Sequence, residues 1–140
     1  MSSRLTHKIL DDLTYKIIGC AIEVHKLLGP GLLESVYERC FLRELELNGI
    51  AYKSQLSVPL TYKGLSLDAN LRLDMLVEDL ICVELKSCES VLPVHEAILL
   101  SYMKMLEKPK GIMINFHCTN IFKNGQKTYV NKFYTMLDSD

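Results

Sequence analysis

The stretch Leu73-Asp74-Met75-Leu76-Val77-Glu78-Asp79-Leu80-Ile81-Cys82-Val83-Glu84-Leu85-Lys86 decides the fold. Leu80 to Leu85 is a short, nearly continuous apolar run, the pattern of a strand covered on both faces. Glu84 is its one charged member and its anomaly. Residues two apart on a strand face the same side, so Glu84 and Lys86 project together. Burying a carboxylate and an ammonium beside an apolar strand costs several kcal/mol unless they pair with each other or bind an ion. Asp74, brought alongside by the preceding strand, makes a hard, oxygen-rich pair with Glu84 of the kind that takes Mg²⁺ or Mn²⁺, with phosphate and water completing the shell. Lys86 then stands where it can position a water or stabilise developing charge, an arrangement suited to phosphodiester hydrolysis. The competing reading is a ligand-free ion pair of Glu84 and Lys86. Geometry separates the two. A two-residue turn at Glu78-Asp79 pairs Asp74 with Val83, on the face opposite Glu84, so the catalytic reading requires an odd-numbered loop or a bulge.

Upstream, Gln55 to Tyr62 is rich in β-favouring residues, Lys63-Gly64 signals a turn, and Leu65, Leu67, Leu71 and Leu73 fall on period 2. These are expected to be strands of a meander. Further upstream, Leu10, Leu13, Ile17, Cys20, Val24 and Leu27 form one helical stripe over Thr6–Leu28. Gly29-Pro30-Gly31 stops it, since Pro30 cannot extend a helix. A second helix is expected over about Leu33–Asn48, with Leu33, Tyr37, Phe41 and Leu45 on one face and Gly49 as cap. Downstream, Pro93 opens a third helix to about Glu107, its core face read as Val94, Ala97, Ile98, Ser101, Tyr102 and Met105. Lys110–Phe116 reads as another buried strand and Lys127–Tyr134 as a weaker final one. Two helices, a run of strands, a helix and one or two strands predict an α/β (α+β) chain with a mixed sheet.

A chain of 140 residues with 49% hydrophobic and 24% charged residues fits one globular domain spanning residues 1–140. The net charge of −1 gives no global attraction to polyanions and weighs against a dedicated high-affinity nucleic-acid binder. Charge is uneven, however: Lys104, Lys108, Lys110, Lys123, Lys127 and Lys132 face only Glu107 over that segment. A local basic face, with Lys123 and Lys127 against phosphates, is one reading and a solvated surface the other. No apolar run is long enough for a transmembrane helix, so a cytoplasmic location is expected. The five cysteines lack any Cys-x-x-Cys pair and read as reduced core residues. His25, His95 and His117 have no spacing that joins them as ligands, although His95 begins the third helix close after Lys86.

The segment Gly31-Leu32-Leu33-Glu34-Ser35-Val36-Tyr37 is a second constellation. Glu34 falls in the first turn of a helix, where free amides and the macrodipole favour a carboxylate. It is either a capping-region acid or a third acidic group for the metal. Tyr37 is either a core aromatic or a substrate contact. Taken together, Gly31, Glu34 and Tyr37, then Asp74, Glu84-x-Lys86 and Gly111-x-x-x-Asn115-Phe116, resemble the GxxExxY protein family, which is placed in the PD-(D/E)xK nuclease superfamily. The likeness runs from about Thr14 to Phe116 and includes Leu28-Gly29-Pro30-Gly31 and Leu92-Pro93-Val94-His95-Glu96-Ala97.

That resemblance implies a restriction-endonuclease-like αβββαβ core, a mixed central sheet flanked by helices. It also implies a metal held by Asp74, Glu84 and the Leu85 carbonyl, with Lys86 as catalytic lysine and Glu34 as helix-borne acid. Superfamily members related to RecB and lambda exonuclease carry Gln-x-x-x-Tyr on the helix after the lysine. Here Tyr102 is present and the glutamine position is Ile98. An isoleucine cannot hydrogen-bond a nucleotide, which bears on substrate engagement more than on metal binding. The expected activity is Mg²⁺- or Mn²⁺-dependent nucleic-acid hydrolysis, DNA ahead of RNA. The alternatives are a non-catalytic binding module on the same fold, or a homodimer whose pairing supplies the binding surface.

Overall fold

The computed structural model describes residues 4–138. Helix α1 covers His7–Leu28, with the Thr6 hydroxyl accepting from the Ile9 N–H at its start. It ends where Gly29 takes φ 67°, a left-handed conformation that suits glycine. Helix α2, Glu34–Leu47, follows directly. Strands β1 (Tyr52–Ser57), β4 (Arg72–Val77), β5 (Ile81–Lys86), β6 (Lys110–Asn115) and β7 (Gln126–Val130) form one sheet in the order β1-β4-β5-β6-β7. Only β5 and β6 are parallel, and helix α3, Pro93–Met105, makes their crossover. The architecture is the expected mixed sheet flanked by helices.

Each sheet face has its own core. Met75, Val77, Ile81, Val83, Leu85, Ile112 and Ile114 pack on one side with Leu10, Ile17 and Val24 of α1 and Tyr37, Phe41 and Leu45 of α2. Leu73, Leu76, Cys82 and Met113 pack on the other with Leu99 and Met103 of α3. Fully burying each such side chain contributes about 1.5–3 kcal/mol. Helix α3 sits close against β6 at Gly111, where a Cβ would come within 2.6 Å of the Met103 Sδ. All five cysteines are free thiols.

Three expectations need correction. The meander is divided: β2 (Leu60–Tyr62) and β3 (Leu65–Leu67) pair only with each other, as a hairpin outside the main sheet. Pro59 has no N–H for the ladder, and the last bond between β1 and β4 in that direction is Val58 N–H to the Leu71 carbonyl. Leu65 and Leu67 are exposed in consequence. The buried face of α3 is Leu99 and Met103, with Tyr102 half-buried, while Val94, Ala97, Ile98 and Ser101 face solvent. This helix is apolar nearly all round, so its periodicity marks no single face. The last strand stops at Val130, because the Asn131 side chain accepts from the Phe133 N–H and starts helix α4, Lys132–Thr135.

Candidate active site

Between β4 and β5 the connection is Glu78-Asp79-Leu80, three residues long, with Glu78 at φ 52° and Asp79 at φ 57°. The register it sets is Val77 against Ile81, Leu76 against Cys82 and Met75 against Val83. One step further along, Asp74 stands opposite Glu84. The odd-numbered loop that the catalytic reading required is therefore present.

At that step the backbone ladder gives way to side chains. The Asp74 N–H donates to Glu84 Oε1 at 3.2 Å, and the Leu85 N–H donates to Asp74 Oδ2 at 2.8 Å. The two strands fork here, and each carboxylate is fixed by the other strand's amide. Successive carbonyls of a strand point to opposite sides. That of Lys86 accepts from the Phe116 N–H at 2.9 Å on the β6 side, so that of Leu85 points into the fork.

Glu84 is only 8% exposed. Burial, then the neighbouring Asp74 charge and a hydrogen bond with the Asp74 side chain, push its pKa up to about 8. Lys86, on the same strand face two residues on, opposes that rise. Its ammonium makes no salt bridge among the described residues.

Helix α2 supplies the other wall. The Ser87 hydroxyl donates to the Leu32 carbonyl at 2.7 Å, docking the loop before α2 on the end of β5. Glu34 opens the helix within the electrostatic reach of Lys86, Asp74 and His95. Partial burial raises the Glu34 pKa, with Lys86 pulling it back. His95 Nδ1 accepts from the Leu92 N–H at 3.1 Å, which leaves the proton of a neutral ring on Nε2.

A cleft of about 220 Å³ is lined by Glu34, Ser35, Glu38, Gln55, Asp74 and Leu85. Glu38 and Gln55 were not singled out from sequence. Gln55 donates to Glu38 Oε1 at 2.7 Å and reaches Asp74 Oδ1 at 3.5 Å. The Glu38 pKa is raised by burial, less the effect of that bond. Glu38 lies one helical turn after Glu34, so i,i+4 spacing could have flagged it. Gln55 carried no such signal: it adopts φ 50° within β1, a distortion that only the paired strand reveals.

The structure thus brings Asp74, Glu84, Leu85, Lys86 and Glu34 together. It places the other candidates elsewhere. Tyr37 is fully buried, stacked on Phe116 with centroids 4.4 Å apart. Its hydroxyl donates to the Gly29 carbonyl and accepts from the Leu32 N–H, so it fastens the turn before α2 and offers no surface to a substrate. Tyr102 packs against the α3-side core. Lys123 lies on a π-helical turn, Ile121–Gly125, and does not line the cleft. Lys127 is held by Glu96 at 2.9 Å.

A family model described as the PD-(D/E)XK nuclease superfamily matches residues 11–128. The chain belongs to this superfamily. No curated protein and no solved structure gives a significant match. Membership points to nuclease activity, to a nucleic-acid substrate and to the use of divalent metals, as is general in the superfamily. No helix among the described residues is long and apolar enough to cross a membrane.

The donor chemistry of this PD-(D/E)XK site fits a hard cation. Its groups are carboxylate and carbonyl oxygens only, and the buried Glu84, set against Asp74, keeps its proton up to about 8 when nothing else neutralises it. Among the described residues no three His, Cys, Asp or Glu side chains could hold an ion unaided. Mg²⁺ needs no such cage, since it commonly takes one or two carboxylates, several waters and substrate phosphate.

Proposed function

We propose that the chain is a divalent-metal-dependent nuclease of the GxxExxY type that hydrolyses phosphodiester bonds, in DNA ahead of RNA. The observation that carries this reading is Asp74 set against Glu84 at a strand fork, with Lys86 on the same face of β5. Asp74, Glu84 and the Leu85 carbonyl would hold Mg²⁺ or Mn²⁺, which when bound would supply an acidified water and charge neutralisation at the phosphate. Lys86 would orient the attacking water or stabilise charge on the phosphoryl oxygens, free of any competing salt bridge among the described residues. Glu34 accepts a proton or holds a water at the mouth of the cleft. Gln55 steadies Asp74 and Glu38.

The test is cleavage of labelled single-stranded DNA, duplex DNA and RNA with Mg²⁺ or Mn²⁺ by wild type, Asp74→Ala and Lys86→Ala. Asp74→Ala is expected to lose both Mn²⁺ binding and cleavage. Lys86→Ala is expected to keep Mn²⁺ binding and lose at least about 100-fold in rate. Equal cleavage by all three proteins would show a contaminant and end the proposal. A second reading, a binding module without catalysis, is favoured by one observation: Ile98 is solvent-exposed at the superfamily's glutamine position. Absence of Mn²⁺ binding in the wild type selects it.

A further inference from the structure

Helix α3 brings one further polar side chain to the mouth of the cleft. Glu84 and Lys86 alternate with Val83 and Leu85 on β5, so they share with Cys82 the sheet face on which Leu99 and Met103 of α3 pack. A Cβ at Gly111 would meet both Leu99 and Met103, and Gly111 stands beside Cys82 in the β5–β6 pair. Helix α3 crosses back between these parallel strands and so runs against them. From Leu99, one helical turn towards the start of α3 covers about 6 Å. Two residues of β5 cover about 6.6 Å, which sets His95 level with Glu84.

Its bearing round the helix follows from its neighbour. Glu96 turns to β7, where Lys127 and the Tyr129 hydroxyl bond it. His95 is about 100° away, with the sheet-facing Leu99 and Met103 between the two, and therefore leans to the β5 flank. Helical side chains tilt towards the N-terminus, which carries the ring on from Glu84 towards Lys86. The ring is half-buried and its orientation is set, since Nδ1 accepts from the Leu92 N–H. Nε2 then carries the proton of the neutral ring and has no hydrogen-bond partner among the described residues. Across the mouth, Glu34 is within electrostatic reach of both His95 and Lys86, yet among the described residues no ion pair joins it to either. A gap edged by an ammonium and an N–H donor suits an anionic oxygen.

Resting on the nuclease reading, we propose that His95 is a further substrate-contacting residue, its Nε2–H donating to a phosphate oxygen of the strand held over Lys86. Asp74 stands on the β4 side of Lys86 and His95 on the α3 side, so the substrate backbone crosses the end of β5 between α2 and α3. The contact needs no protonation of the ring, and a second proton on Nδ1 would break the bond to Leu92. A phosphate contact carries no sequence information, so His95 contributes affinity and placement and no base preference.

Binding measured in chelator, by anisotropy of labelled single-stranded and duplex oligonucleotides, tests this apart from cleavage. Three substitutions separate the donor from the helix cap. His95→Ala removes both. His95→Gln keeps an acceptor for the Leu92 N–H, as glutamine does at this helix position, and keeps an N–H donor. His95→Glu keeps the acceptor and has no donor. His95→Ala is expected to bind the better of the two probes about tenfold more weakly than wild type, with Mn²⁺ affinity unchanged. His95→Gln should stay within about threefold of wild type, and His95→Glu should bind at least as weakly as His95→Ala while melting with His95→Gln. A residue that only caps α3 would move affinity in step with melting temperature, so His95→Glu and His95→Gln would bind alike. That result overturns the proposal, as does unchanged affinity in His95→Ala or the absence of binding by wild type to both probes. No cleavage by wild type in Mn²⁺, with His95-dependent binding intact, would instead count against the nuclease reading alone.

Discussion

Glu84 is the residue whose chemistry is most exposed to test. In the metal-free folded protein it keeps its proton up to about 8, whereas the ordinary value is 4.5. Between those values the folded state binds more protons than the unfolded one, so stability falls as pH rises. Thermal denaturation in chelator should show a melting temperature that declines from about pH 5 to pH 8, and Glu84→Gln should flatten that decline. Parallel curves for the two proteins would sink the assignment. Added Mn²⁺ should remove the wild-type decline, because the ionised pair is then neutralised. Tyr37→Phe tests a different role. Removing a buried hydroxyl shared by Gly29 and Leu32 should cost about 1–3 kcal/mol in urea denaturation, with Mn²⁺ affinity held. Asp74, Glu84 and Lys86 were legible in the sequence because charge in an apolar strand is costly and therefore conspicuous. Gln55 and Glu38 were not, since a polar residue on an exposed strand or helix face is ordinary until its partner is known.

Among the elements, the three-residue connection Glu78–Leu80 governs the most. Its odd length sets Asp74 against Glu84, and one residue fewer would set Asp74 against Val83 and turn Met75 and Val77 out of the α1/α2 core. Helices α1 and α2 were readable because their apolar stripes are narrow and their ends are marked by Gly29-Pro30-Gly31 and Gly49, although the outermost expected members, Leu27 and Leu33, are exposed at the two helix ends that flank that turn. The buried strands β5 and β6 were readable by their continuous apolar runs. The β2–β3 hairpin was not, because Leu65 and Leu67 keep strand periodicity while facing solvent. The buried side of α3 was missed for a related reason, its apolar residues encircling the helix. That side is testable at Gly111. Alanine there must displace Met103 and Leu99, at 2.6 and 3.3 Å from the added Cβ. A loss of about 1–3 kcal/mol in denaturant unfolding is expected, with Ile98→Ala near neutral as the solvent-facing control.

The molecule as a whole is nearly neutral, and what little charge faces a polyanion is local. Lys86 is unpaired among the described residues, while Lys110 and Lys127 are tied to Asp11 and Glu96. Few counterions should be released on binding. The logarithm of nucleic-acid affinity against the logarithm of salt should have a shallow slope, about −1 to −3, as for one to three phosphates. A slope steeper than about −5 would reveal a basic surface other than this one. Ends meet at the far side: His7 stacks on Tyr134 at 4.2 Å, and Thr6 bridges Asp138, closing the chain around α1. At the fork between β4 and β5 two backbone amides answer to carboxylates instead of carbonyls. Those amides make the protein its own indicator. The nitrogen and proton resonances of Asp74 and Leu85 follow the charge state of the groups they touch, so two peaks in a spectrum report occupancy of the cleft before a single bond has been cut.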